Sequence, residues 1–109
     1  MQIIDFDVEL INSHFTLPIN LNLNDVVRLM NEQHADRYAT YNPEHHKCVD
    51  VYFLCADHTT VRIFIFHSGS VLLAGKILNP DNLVLAFMFI TQFVVRNADL
   101  IRRKFIAAP

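Results

Sequence analysis

Glycine is scarce in this chain of 109 residues: there are two, Gly69 and Gly75, and turns account for both. No Gly-rich phosphate cradle can be built from them. Cysteine is as sparse, with Cys48 and Cys55 alone. That suits free buried thiols in a reducing compartment better than a disulfide framework, a single bridge being the alternative. Charge is low as well: 18% of residues are charged and the formal net charge is −2. Proteins that wrap nucleic acid by charge alone carry a basic excess, so that class is excluded. Long hydrophobic runs are missing too. The most apolar stretch, Leu83 to Val95, is interrupted by Thr91 and Gln92. It falls short of the roughly 20 residues that span a bilayer. Met1 to Phe6 carries Asp5 and does not read as a secretory signal. The expectation is a soluble, intracellular protein with no membrane partner.

What the chain has in quantity is apolar side chains, 52% of the total. At this length they fill one core, so residues 1–109 read as a single domain. No repeat, low-complexity tract or flexible linker divides it.

Residues 3–17 alternate as a strand, with Ile4, Phe6, Val8 and Leu10 against Asp5, Asp7 and Glu9, and Pro18 ends it. Asn22 or Asn24 caps a short helix carrying Val26, Val27, Leu29 and Met30 and ending near His34. Ala35 to His46, with Tyr41-Asn42-Pro43, reads as turn or loop. Then come strands at Lys47–Leu54, Val61–Phe66 and Val71–Ala74. The tight turns Ala56-Asp57-His58 and His67-Ser68-Gly69-Ser70 join them into an antiparallel meander. Asn79 caps a long helix with Pro80 at its first position. Leu83, Ala86, Phe87, Ile90, Val94 and Leu100 form its stripe, and Asn97 marks a break or bend. Phe89, Phe93 and Met88 count as core, and Gln92, Arg96 and Arg102 as a solvated face. The fold class is α+β: an antiparallel sheet with two helices on one face.

One feature points outward. In Val61 to Phe66 the odd residues suit the helix-packed face, which leaves Phe64 and Phe66 on the other. Leu72 and Ala74 join them from the next strand. A second apolar face needs a partner such as a ligand, a subunit or a nucleic-acid groove, unless this chain covers it.

Other constellations are weaker. His45, His46, Cys48, Cys55 and His58 lack a recognised zinc spacing, and Cys48 and Cys55 have opposite strand parity. Cys48 near His45 or His46 is the sole pairing of nucleophile and base, with nothing to serve as an oxyanion site. No metal, no cofactor and no catalytic activity are expected.

Tyr41-Asn42-Pro43, then Ile65-Phe66-His67-Ser68-Gly69-Ser70, then a strand ending Ala74-Gly75-Lys76 before a long helix resembles the repeat of the TATA-box-binding protein family. The order of elements agrees over about residues 8 to 105. Details such as His45-His46-Lys47 look most like the divergent versions of large cytoplasmic DNA viruses, African swine fever virus among them. The resemblance implies a half-saddle whose concave sheet lies on the minor groove of duplex DNA, with phenylalanine wedges that kink it. It places Phe66 at a wedge. Phe64, Leu72 and Ala74 line the groove, and Arg62, Lys47 and Lys76 meet phosphates. Asn12, His14 and Ser68 fall at groove-facing positions. His46 stands where the family has its other phenylalanine wedge. Tyr52 replaces an arginine, Ser70 a lysine and Ala74 a threonine, while Asp50 adds a negative charge to the face. These departures lower the expected affinity and weaken A·T readout.

The family carries two repeats in one chain. This sequence reads as one lobe of a longer protein, or as one that pairs with itself or with another lobe; a symmetric dimer would rebuild the saddle. The implied function is a transcription-initiation factor that recruits other transcription proteins. It would work in the host cytoplasm or the virion if viral, or in the nucleus if cellular. The alternative is an interaction or dimerisation module of the same fold with weak or lost DNA binding.

Overall fold

The computed structural model describes the backbone of residues 10–34, 36–75 and 79–102, and within them side chains from Ser13 onward. Five strands form one antiparallel sheet: β1 (Leu10–Thr16), β2 (Ala39–Tyr41), β3 (Cys48–Leu54), β4 (Thr60–Phe66) and β5 (Ser70–Gly75). Their spatial order is β1-β5-β4-β3-β2, with a bulge in β1 between Ile11 and Ser13. Two helices, α1 (Leu23–Gln33) and α2 (Pro80–Ile101), pack on one face. The architecture is the expected α+β sheet-and-helix layer pair. The first part of the expected N-terminal strand, residues 3–9, lies outside the described residues, as do Lys76, Arg103 and Lys104.

The helices begin where side chains can satisfy free amides. Asn22 accepts from the Asp25 N–H and Asn79 from the Asp81 N–H, with Pro80 opening α2. Between sheet and helices lies the main core, including Val49, Val51, Ile63, Ile65, Val71 and Leu73 below and Val26, Met30, Ala86, Ile90 and Phe93 above. Removing these side chains from water is the main force holding the layers together.

Polar ties fix the orientation of the layers. Asn97 of α2 exchanges two hydrogen bonds with Gln33 of α1, at 2.8 and 3.1 Å. Asn82 donates to Asp57 and Thr59 in the β3–β4 turn, joining the start of α2 to that hairpin. The β1–α1 connection lies on the β4–β5 turn through Leu17 N–H to Gly69 carbonyl and Leu21 N–H to His67 carbonyl, both 2.8 Å. Gly69 has φ +92°, and a Cβ there would meet the Leu17 carbonyl oxygen at 2.3 Å. Glycine is obligatory at that crossing.

Four expectations are corrected. The stretch Ala35–His46 is not all loop: β2 forms because Asn31 of α1 bonds both the N–H and the carbonyl of Ala39, fixing it beside β3. Asn97 does not break α2, since its amide is occupied by Gln33 and by the Phe93 carbonyl and the helix runs on to Ile101. Phe87 and Met88 are 43% and 47% exposed rather than core, and Leu100 is exposed too. The buried stripe of α2 runs instead through Asn82, Ala86, Ile90, Phe93, Val94, Asn97 and Ile101. The apolar run read as too short for a bilayer belongs to a helix of 22 residues, long and apolar enough to cross one by length and composition. Here its buried stripe faces the sheet.

Candidate functional site

Strand parity sends every second side chain away from the helices, and the sheet register sorts these into rows. One row crosses the sheet as His14, Leu72, Phe64, Asp50 and Thr40. A neighbouring row holds Ala74, Arg62 and Tyr52. Phe66 stands opposite Cys48. The residues assigned to the second face from alternation alone, Phe64, Phe66, Leu72 and Ala74, do share one face. With Cys48 they form an apolar cluster separate from the main core.

Their exposure is uneven, and this changes what the face can offer. Phe64 is 2% exposed and Ala74 0%, whereas Phe66 and Leu72 are half-buried. The Arg62 guanidinium lies 5.1 Å from the centre of the Phe64 ring and 4.8 Å from that of Tyr52. It is also ion-paired with Asp50, on the adjacent strand. Cations over aromatic faces are attracted by the ring quadrupole, and the nearby carboxylate fixes the plane of the fork. The expectation that the second apolar face stands open is therefore corrected in part. Phe64, Ala74 and Cys48 are already withdrawn from water, and Phe66 and Leu72 are the apolar side chains of the cluster within reach.

Beside Phe64 a small cavity of about 60 Å³ is lined by His46, Cys48, Asp50 and Arg62 among others. It places a cation, an anion, a thiol and an imidazole around a space big enough for one or two waters. Among the described residues no three His, Cys, Asp or Glu side chains are grouped to hold a metal ion. Cys55 sits on the opposite, helix-packed side, as its parity required, and burial raises its thiol pKa, with the Asp57 charge adding to the effect.

The other site residues fall as follows. His14 is exposed at the β1 end of the Leu72–Phe64 row. Asn12 sits at the β1 bulge, and its side chain lies outside the described residues, as does Lys76. Ser68 is exposed in the β4–β5 turn, its hydroxyl 3.3 Å from that of Ser70. Lys47 is not brought to Arg62. It borders a separate groove of about 420 Å³ beside the start of α1, with Asn22, Tyr41 and His67. The Arg62–Asp50 pair was missed as a unit. Sequence placed both residues on this face, but their register as diagonal neighbours comes from the β3–β4 pairing. No protein-family model, curated protein or solved structure matches the chain.

Proposed function

We propose that this chain is a TATA-box-binding-protein-like, non-enzymatic DNA-binding module. Its sheet face opposite α1 and α2 lies on the minor groove of a duplex, and it serves transcription initiation with other proteins of that machinery. The observation that carries the reading is the row structure of that face. Phe66 and Leu72 form an accessible apolar strip on the sheet, flanked by Arg62 and His14, and among the described residues no helix crosses it. Minor-groove proteins that kink DNA insert apolar wedges of this kind between base steps, with cations near the phosphates. Phe66 is the wedge, Leu72 the adjoining groove contact, and Arg62 the phosphate contact. Phe64 packs beside Phe66 in the same cluster.

The test is fluorescence anisotropy with A·T-rich and G·C-rich duplexes over a range of salt, paired with a fluorescence-transfer measurement of bending. Phe66→Ala is expected to weaken binding and bending together. Bending that survives Phe66→Ala refutes the wedge role.

A second reading is favoured by a specific observation: Asp50 and Arg62 neutralise one another in the middle of the face. Duplex DNA then gains little from Arg62, and the strip becomes a contact for another protein. No duplex binding at low salt, with Phe66 variants altering association with protein instead, supports this reading over the first.

A further inference from the structure

Among the described residues the exposed large apolar side chains fall into two sets. One lies on α2. The other is Tyr38, Tyr52 and Leu54, at the sheet edge opposite β1. Strand pairing builds this corner. The Tyr52 N–H donates to the Tyr38 carbonyl at 2.9 Å, which carries the β2–β3 register one residue beyond the Ala39–Val51 pair. Ala39, Val51 and Phe53 belong to the helix-packed core, so alternation turns Tyr38, Tyr52 and Leu54 to the other face. The two tyrosine rings stand 6.2 Å apart, tilted by 54°, and the residues are 65% and 40% exposed. Arg62 follows Tyr52 in the same row, its guanidinium 4.8 Å from the ring centre. The row therefore presents ring, ring and guanidinium, three flat groups in succession. One step along the same strands, Thr40 and Asp50 set a hydroxyl and a carboxylate on this face, where they line the small cavity beside Phe64.

We propose that this corner is a stacking site for unpaired nucleobases, through which the sheet face holds single-stranded nucleic acid. The inference rests on nucleic acid as the ligand of this face, but not on the minor-groove pose. Single strands are held by stacking their bases on aromatic rings and guanidinium planes, and a sheet presents such groups in rows. A carboxylate and a hydroxyl beside the rings can accept from the amino edge of a base. Charge narrows the choice of occupant. Arg62 is paired with Asp50, so the corner has little to draw a phosphate and acts through its ring faces. Size narrows it further. The three exposed side chains present on the order of 400 Å², about half of what each partner buries in a standard protein interface. A second copy or a folded partner would find too little surface here, whereas one or two bases are accommodated.

Fluorescence anisotropy of a labelled oligothymidylate of about 12 nucleotides, titrated with the full chain, tests this. Binding is expected at about 1 to 100 µM. The slope of log affinity against log salt is expected to be no steeper than about 0.7, the value for one phosphate of a single strand. Tyr38→Leu and Tyr52→Leu keep apolar bulk but lose the ring, and each is expected to weaken binding about tenfold. Tyr52→Phe keeps the ring and is expected to bind as the wild type does. Val95→Ala, at an exposed position on α2, is expected to change nothing. The wild type alone supplies a second measurement. Oligothymidylate carrying 5-iodouracil, irradiated in the complex, is expected to crosslink to Tyr38 or Tyr52, as located by peptide mass spectrometry. A wild type that binds no single strand overturns the proposal. So do leucine variants that bind like the wild type, or crosslinks that fall at Phe66 alone. A decaproline peptide that shifts the Tyr38 and Tyr52 ring resonances, where the oligonucleotide does not, assigns the corner to a protein segment and also overturns it. Single-strand binding carried by these tyrosines without duplex binding upholds this inference while removing the minor-groove reading. Duplex binding and bending without single-strand binding does the reverse.

Discussion

Replacing Asp50 with asparagine separates the two readings of the sheet face more sharply than any change to its aromatic side chains. Asp50 stands opposite Phe64 in the row that ends at His14, and it pairs with Arg62 on the adjacent strand. Its side chain is 20% exposed and that of Arg62 22%, so the pair is screened by solvent only in part. For a phosphate assumed to lie about 8 Å from Asp50, at an effective dielectric of ~40, the repulsion is about 1 kcal/mol. Removing it should tighten duplex binding by about fivefold. If the Arg62 guanidinium also turns to a phosphate, the plot of log affinity against log salt steepens by about 0.9. The same change leaves a partly buried guanidinium without this carboxylate, which should cost about 1–2 kcal/mol of stability. Asp50→Asn is therefore expected to bind DNA more tightly while melting earlier in urea. Anisotropy across a salt series and urea denaturation measure the two effects separately. Affinity and salt slope both unchanged, in a protein that is measurably destabilised, would show that no phosphate approaches this face.

Two further expectations concern the frame that holds the face. Gly69→Ala drives a Cβ to within 2.3 Å of the Leu17 carbonyl oxygen and 2.6 Å of that of Ile19, at a positive φ. A loss of roughly 3 kcal/mol or more in urea denaturation is expected, and a loss under 1 kcal/mol would refute the close crossing. In the β3–β4 turn, hydrogen bonds from the Thr59 hydroxyl and N–H, with Asn82 behind them, hold the Asp57 carboxyl below its ordinary pKa. A depressed carboxylate contributes stability above the usual Asp range and loses it as pH falls through the folded-state value. Thr59→Val should move the Asp57 titration back up toward the ordinary value, followed by carboxyl NMR; an unmoved titration would remove Thr59 as its principal cause.

The legible and illegible parts of this molecule differ by how far apart in sequence the deciding contacts lie. Strand parity in β3, β4 and β5 is local, so the split of Val61, Ile63 and Ile65 from Phe64 and Phe66 was readable from alternation alone. The helix starts were readable because Asn22 and Asn79 act on amides two or three residues away. β2 was not, because three residues have little propensity of their own, and it is Asn31 of α1 together with β3 that makes them a strand. Asn97 was misread for the same reason. Its partner Gln33 lies 64 residues away, and without it a buried asparagine in a helix looks like a break. Phe87 and Met88 were misassigned because an apolar helix offers two stripes at the helical period, and only the sheet decides which one is buried.

The face itself shows where alternation stops informing. Parity put Phe64 and Phe66 on the same side and so made them look equivalent. The structure makes them opposites: Phe64 is sealed beneath Arg62 and its neighbours, while Phe66 stays within reach of solvent. A ring already removed from water gains little by entering a groove, since the hydrophobic term was collected on folding. A ring still half in water has that gain before it. The energetic asymmetry ranks the two positions for any partner, nucleic acid or protein. Phe66 and Leu72 carry affinity, and Phe64 carries the shape of the platform on which they stand. Phe64→Ala should therefore act through the fold, whereas Phe66→Ala should act through binding.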